Sequence, residues 1–489
     1  MKIKNLSLVL LLSVFIVITS VVILKRYESE TLVEAKWNEK EDALLAITID
    51  GKESDSFPTN SGYEGTVTCN NATGTTSWNG SKWVFNVTGI TQNKTKCNVN
   101  FTKRPTVYDK VLADYSKNNG VSKTTDENGK EVYYYVGNIT NNNLILNNYC
   151  WKMVRTTETD GVKLIYNGVY SNSTKCNNTG KDVHIDSNGT EFNTNYMSLA
   201  YVGYMYGTVY EWISKLGSSF GTYYYGSDVT WNGTTYTLSN AERGVIANMY
   251  SKLSTKHYTC LSTSSSCSTV YYIHYMGSAT DYAYYMTLTN GKKIEDALDE
   301  MLNYNTTNSN IKTVIDNWYS ANMTNATDYL ENAIYCNNRH LSNLGGWNPS
   351  GGSLTTDLQF NDYNDSNARL TCQDKEDQFT LKVDSGGTLG YGNNALDYPV
   401  GLLTSKEFYL ARGASKTNYL NNGKSYWLLS PDKIYRSVVG VRHVSGGILS
   451  GNRVDTTFGA RPAISLKQDI VITGGTGEIE DPYTISLPS

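Results

Sequence analysis

The chain has 489 residues, which is room for about three domains at roughly 150 residues each. Its 42 Lys and Arg nearly balance its 46 Asp and Glu, and the net charge of −4 argues against a protein that binds the phosphate backbone of a nucleic acid. Aromatic residues at 12% exclude a wholly disordered chain, and the presence of one long apolar run excludes a polytopic membrane protein.

That apolar run is residues 6–24, LSLVLLLSVFIVITSVVIL. As a helix it covers about 28 Å, close to the thickness of a bilayer core. It is longer than the core of a signal peptide, and no Ala-x-Ala cleavage site follows it. We therefore expect residues 1–26 to be an uncleaved signal-anchor that crosses the membrane once, rather than a removed signal, with residues 27–43 as a stalk.

The eight cysteines are even in number, contain no C-x-x-C, and lack zinc-finger spacing with histidine. Eight cysteines allow 105 connectivities, and pairing in chain order is the simplest because each pair then stays within one predicted unit. Disulfides persist only in oxidising compartments, so we expect the bulk of the chain to be extracellular; the alternative is eight reduced thiols in a cytosolic protein. The predicted pairs are Cys69–Cys97, Cys150–Cys176, Cys260–Cys267 and Cys336–Cys372.

Residues 44–103 show the alternating pattern of β-strands, with a hairpin signal at Asn79-Gly80. They predict a small, all-β, sandwich-like module closed by a disulfide. Residues 104–130 predict a linker with one short helix, whose apolar face carries Val107, Val111, Leu112 and Tyr115.

Residues 131–470 mix strand and helix patterns, with a looser insert at about 200–310 and a tail at 471–489. Asp160-Gly161 and Asn232-Gly233 are hairpin turns. The segments IKTVIDNWYSANM and NATDYLENAIY show helical spacing, and Thr404 with Glu407 forms a capping box that begins a helix over 405–412. The expected fold class is therefore α+β: an N-terminal transmembrane helix, the small β module and a larger α+β domain.

Four segments carry a resemblance to a known family: CWKMVR with VKLIYNG, CNNR at 336–339, YPVGLLTSKE at 398–407, and WLLSP at 427–431 with the closing GARPAISL at 459–466. They resemble a domain of surface proteins in low-GC gut bacteria. That domain is similar to the C-type-lectin-like fold of formylglycine-generating enzymes and of phage receptor-binding variable proteins. The resemblance implies a lectin-like fold and a surface location but no activity, and this chain has Asn338 where the family pattern has Asp.

No catalytic constellation stands out. No two of the five histidines have the spacing of a zinc hydrolase, and the late cysteines that formylglycine-generating enzymes need are missing. We therefore predict no enzyme activity, no cofactor and no metal. The only metal candidate is a weak Ca²⁺ loop, against a solvated Asn/Asp loop as the ordinary alternative; its oxygen ligands would come from Asp362, Asn364 and Asp365.

Two places are candidate ligand-binding sites. Trp347 and Asn348 lie among glycines, where a flat ring beside an amide could stack on a sugar; the alternative is a turn whose Trp packs on the core. The last hairpin carries Arg442, His443, Asn452 and Arg453 in the region that presents the binding face in C-type-lectin-like proteins, and the alternative is ordinary hairpin residues.

These observations predict a membrane-anchored extracellular binding or adhesion protein, with a glycan or a host or cell-surface protein as its ligand. Its partners would be the membrane, through residues 6–24, and that ligand, but not nucleic acid. A cell-wall or protein-modifying enzyme with an unrecognised active site and a structural surface-layer component are the alternatives.

Overall fold

The computed structural model describes residues 42–91, 94–125, 130–194, 199–206, 229–231, 234–236, 243–244, 283–284, 305–339, 353–355, 370, 372, 375–382, 391–412, 417–435 and 438–488. The chain divides into two compact units. The first extends to Pro105 and includes the last few residues, and the second covers Thr106–Ile485.

The described part of the first unit consists of β-strands: β1 (Asp42–Ile49), β2 (Lys52–Ser54), β3 (Tyr63–Cys69), β4 (Thr73–Trp78), β5 (Trp83–Thr88) and β6 (Lys94–Lys103). Four of them form a sheet in the order β2-β1-β6-β3, in which β1 and β6 are parallel. The other two form the hairpin predicted at Asn79-Gly80, where Gly80 takes a positive φ of 100°.

The core of the first unit is mostly aromatic. Trp83 and Phe101 pack edge to face with ring centroids 4.8 Å apart, and Phe57 packs on Phe101 at 5.2 Å. Cys69 and Cys97 are directly paired on β3 and β6 and form the predicted disulfide. The small core is therefore stabilised by a covalent link that joins two of its own strands.

The second unit contains α1 (Val107–Ser116), α2 (Asn310–Asn322), α3 (Ser405–Arg412) and the strands β7 (Val121–Thr125), β8 (Glu131–Tyr135), β9 (Asn143–Leu146), β10 (Tyr149–Thr156), β11 (Val162–Val169), β12 (Thr190–Glu191), β13 (Met205–Tyr206), β14 (Val229–Trp231), β15 (Thr234–Tyr236), β16 (Arg243–Gly244), β17 (Ala283–Tyr284), β18 (Thr307–Asn308), β19 (Tyr335–Cys336), β20 (Ser353–Thr355), β21 (Gln378–Phe379), β22 (Tyr426–Tyr435), β23 (Val438–Ser445), β24 (Ile448–Arg453), β25 (Thr457–Phe458), β26 (Ala463–Leu466), β27 (Val471–Gly474) and β28 (Thr484–Ser486).

Two sheets organise this unit. The larger has the order β26-β11-β10-β8-β7, with β9 also paired to β10. The smaller has the order β20-β22-β23-β24. The β10–β11 hairpin turns at Asp160-Gly161 as predicted, with Asp160 at φ 63°, and the β14–β15 hairpin forms around Asn232-Gly233. The strand of the closing motif, β26, pairs with β11 and so joins residues almost three hundred positions apart.

Three predicted helices form: the short helix of the linker as α1, the segment IKTVIDNWYSANM as α2 and the helix over 405–412 as α3. Helix α1 buries Val107 and Val111. At the start of α3 the Glu407 side chain accepts a hydrogen bond from the Thr404 N–H at 2.8 Å, and the Glu407 N–H donates to the Thr404 hydroxyl at 3.1 Å, which completes the capping box. Glu407 also lies within 2.8 Å of both Arg155 and Lys163, so this cap is part of a buried charge cluster.

The α+β expectation is wrong, because the described residues are mostly β-strand with few helices. The segment NATDYLENAIY, predicted as a helix, forms only a 3₁₀ turn over Thr324–Tyr329 and is then extended. Its later backbone groups find partners outside the segment: the Glu331 N–H donates to the Ser465 carbonyl and the Ile334 N–H to the Glu158 carboxylate. Tertiary hydrogen bonds thus override the local helical pattern.

The N-terminal transmembrane helix of the fold prediction is not supported either. Residues 6–24 lie outside the described residues, and no helix within the described ranges is long and apolar enough to cross a membrane.

Candidate functional site

An open groove lies in the second unit, where the start of β10, the end of β11, the loop after it and the last turns of α2 meet. Its volume is about 620 Å³. We call it the aromatic groove and define it by its lining residues: Tyr149, Tyr166, Val169, Ser171, Thr174, Asn178, Lys181, Asp182, His184, Ile185, Ser187, Trp318 and Asn322.

Three rings form the floor of the aromatic groove. Trp318 lies 5.4 Å from both Tyr149 and Tyr166, and the two tyrosines are 5.7 Å apart, measured between ring centroids. Rings this close contact one another and leave no room for a ligand group between them. Tyr166 is buried, whereas Tyr149 and Trp318 are half-buried, so a ligand would lie on the cluster.

Hydrogen-bonding groups surround the rings. The Tyr149 hydroxyl donates to the Asn322 side-chain oxygen at 2.8 Å, and the Asn322 amide donates to the Trp318 carbonyl at 2.8 Å. The first bond connects the strand and helix halves of the groove, and the second lies within α2. Val169 is 55% exposed beside them and is the large hydrophobic residue left most open in the described chain.

The loop after β11 is fixed in two ways. The disulfide between Cys150 and Cys176 ties it to the start of β10, next to Tyr149. The Asn178 amide donates to the carbonyls of Asn167 and Val169, at 2.9 and 3.1 Å. Gly168 allows this approach, because a Cβ at that position would lie 2.6 Å from the Asn178 side chain. This wall of the aromatic groove is therefore already formed in the absence of a ligand.

His184 also lines the aromatic groove, and we call its part of the lining the His184 end. Its Nε2 lies 3.0 Å from the Asn422 side-chain amide, and Gly459 makes room for its ring, since a Cβ there would lie 2.1 Å from Nδ1. Burial, and then the positive charges of Arg461, Lys181 and Lys424, lower the pKa of His184 to about 4. The imidazole is therefore neutral at pH 7 and acts as a polar, hydrogen-bonding wall.

The predicted hairpin site divides into a buried and an exposed half. Arg442 is buried and pairs with Asp432 at 3.0 Å, and the His443 ring stacks on Phe458 at 4.3 Å. Asn452 and Arg453 are exposed on β24. The first two therefore stabilise the fold, while binding by the second two stays a prediction.

The other predicted site residues lie outside the described ranges: Trp347, Asn348, Asp362, Asn364, Asp365, Cys260 and Cys267. The other six cysteines form the three predicted disulfides. Asn338, which differs from the family pattern, is buried and has a positive φ of 44°. Its neighbour Arg339 forms an ion pair with Asp377.

The described residues hold no cluster of three or more His, Cys, Asp or Glu side chains that could bind a metal ion. Within the same ranges, no ion pair joins a histidine to a carboxylate. What the aromatic groove offers is rings for contact area, and amides and hydroxyls for orientation.

Sequence reasoning missed the aromatic groove, although part of the signal was present. Trp318 lies three and seven residues after Ile315 and Ile311, so the helical pattern predicts it on the same face as these buried side chains. What the pattern does not give is the contact with β10 and β11, more than 150 positions earlier in the chain.

Comparison with models of known protein families, with curated proteins and with solved structures finds no match for this chain. The resemblance to the lectin-like surface domains therefore stays a prediction.

Proposed function

We propose that this protein is an extracellular binding protein that recognises carbohydrate through the aromatic groove. The observation that carries the proposal is the open ring cluster of Trp318 and Tyr149, flanked by the side-chain amides of Asn322 and Asn178. A sugar ring has one face of C–H groups, which packs on an aromatic ring, and an edge of hydroxyls, which bonds to amides. The groove offers both kinds of partner side by side.

The composition of the groove favours a sugar over a hydrophobic ligand. Apart from the rings, only Val169 and Ile185 are apolar, and the remaining lining residues are polar or charged. A hydrophobic ligand would take the water from those polar atoms that the protein does not itself satisfy and would offer no replacement partner, at a cost of about 1–3 kcal/mol each. Sugar hydroxyls supply the replacement.

Three disulfides support an extracellular location. Cys69–Cys97, Cys150–Cys176 and Cys336–Cys372 are formed, and no described cysteine is free. Thiols in a reducing cytoplasm do not stay paired in this way, so the bulk of the chain faces an oxidising environment. The enzyme and surface-layer hypotheses stay predictions, since no observation on the described residues favours either.

A glycan array with the purified full chain, followed by calorimetric titration of the best ligands, tests the proposal. We expect binding with a dissociation constant in the micromolar to millimolar range, which a shallow open site supports. Trp318→Ala should weaken binding at least about tenfold. The matched control is Tyr133→Ala, which removes another half-buried ring of the second unit outside the groove and should leave binding unchanged.

Two results would count against carbohydrate binding. One is the absence of any bound glycan above background on the array. The other is a bound glycan whose affinity Trp318→Ala and Tyr133→Ala change equally, since that would place the binding site elsewhere.

A further inference from the structure

Two lysines lie beside His184 at the aromatic groove. Lys181 lies on the 3₁₀ turn over Gly180–Val183 and lines the groove, and Lys424 lies on a neighbouring loop. The two segments are held together: the Gly180 N–H donates to the Asn422 carbonyl at 3.0 Å, and the Asn422 amide contacts His184. Both lysines are exposed, and neither forms an ion pair within the described residues.

Two carboxylates lie in the same segment, those of Asp182 and Asp186, and of the two only Asp182 lines the aromatic groove. Asp186 is engaged by the Ala460 N–H at 2.9 Å and by the Thr190 hydroxyl. Asp182 lies toward Tyr166, whose pKa it helps to raise after burial and Tyr149. The charges that shift the pKa of His184, by contrast, are all positive: Arg461, Lys181 and Lys424.

We propose that the aromatic groove selects an acidic saccharide, a pyranose carrying a carboxylate, over the neutral sugar of the same shape. The inference rests on the proposed function: the sugar ring lies on Trp318 and Tyr149, and its carboxylate points to the end with Lys181 and Lys424. Exposed charge pairs are weak singly, so two lysines give a preference of about fivefold to tenfold at low salt. The preference falls when salt screens the lysines.

Calorimetric titration of the full chain with matched pairs tests this selectivity. One pair is a galacturonic acid trimer and its methyl ester, and the other is sialyllactose and lactose; the two pairs separate plant-type uronic acids from sialic acids as the source of the carboxylate. We expect the acidic member of at least one pair to bind about fivefold or more tightly, and this ratio to approach one in 0.5 M NaCl.

The double variant Lys181→Gln/Lys424→Gln should also bring the ratio close to one. Lys467→Gln removes another exposed positive charge, one that neither lines the groove nor acts on His184, and it should leave the ratio as it is. Equal binding of the acidic and neutral members, or a ratio that survives the double variant, overturns the selectivity while leaving carbohydrate binding intact. A full chain that binds neither these probes nor any arrayed glycan overturns the proposed function as well.

Discussion

Two regions of the second unit contain the same kinds of residue, aromatic rings and a histidine, but differ in how far the rings are exposed. One is the aromatic groove, with His184 at its end. The other is the histidine stack, which we define as His443, Phe458, Trp427 and Phe192. In the stack, Trp427 is only 1% exposed and its indole N–H donates to the Thr190 carbonyl at 2.7 Å. In the groove, the rings of Trp318 and Tyr149 remain partly open.

The comparison shows that residue type does not identify a binding site. Both regions contain a histidine whose pKa is lowered to about 4, by burial first and by nearby positive charge second. The difference is whether the rings are covered by the rest of the protein, since the polar groups beside them are hydrogen-bonded in both regions. Closed aromatic clusters stabilise a fold, and open ones flanked by amides have contact area left for a ligand.

The largest effect that can test this comparison is on stability. Trp427→Ala should lower the free energy of unfolding by about 3–5 kcal/mol, because it empties a fully buried site. Trp318→Ala should lower it by only about 1–2 kcal/mol, because its ring is half-buried. Urea denaturation of the two variants measures the difference. Equal losses would mean that the groove tryptophan is also a core residue.

The second largest effect is expected from removing the disulfide between Cys150 and Cys176, which we call the groove disulfide. The double variant Cys150→Ser/Cys176→Ser opens a link between residues 26 apart in sequence and should cost about 3.5 kcal/mol on the chain-entropy model. It should also weaken binding of the array-identified glycan, because the loop from Ser171 to Asn178 loses its anchor.

Cys336→Ser/Cys372→Ser is the matched control for that variant. Its link spans 36 residues, so the loss of stability should be similar. Neither of its cysteines lies next to a residue that lines the groove, so the affinity should hold. Urea denaturation combined with calorimetry separates the two effects. If both double variants weaken binding alike, the groove disulfide has no special role in shaping the site.

A smaller effect is expected from pH. Between about pH 6.5 and pH 4 an unfolded histidine takes up a proton that His184 and His443 do not, so the folded state becomes less stable as the pH falls through this window. Urea denaturation at several pH values should show this slope. His184→Gln and His443→Gln should each flatten it, and an unchanged slope in both variants would contradict the lowered pKa values.

A structural feature can be predicted from the sequence when residues close to it in the chain determine it, and not when distant residues do. Turns such as Asp160-Gly161 and the capping box of Thr404 and Glu407 are set by neighbours in the chain, and the structure confirms them. The helix predicted over NATDYLENAIY failed because residues such as Ser465 provide the hydrogen bonds.

The candidate site shows the same limit. The sequence predicts aromatic stacking beside an amide at Trp347, because that residue stands among turn signals. The structure places an open ring cluster beside amides at Trp318 instead. Trp318 lies on a helix with an apolar face, which predicts burial. Its ring is half-buried where α2 ends beside the loop that the Cys150–Cys176 disulfide ties to β10, and this arrangement joins segments far apart in the chain.

The smallest expected effect concerns the exposed half of the predicted hairpin site. Arg453→Ala removes an exposed ion pair with Asp455, and such pairs contribute little, so the free energy of unfolding should change by less than about 0.5 kcal/mol. Asn452→Ala should behave alike, except for the loss of its hydrogen bonds to Arg453 and Thr456. If the aromatic groove is the binding site, neither variant should alter glycan affinity. If Arg453→Ala lowered glycan affinity severalfold and Trp318→Ala left it unchanged, the glycan would bind at β24 and not in the aromatic groove.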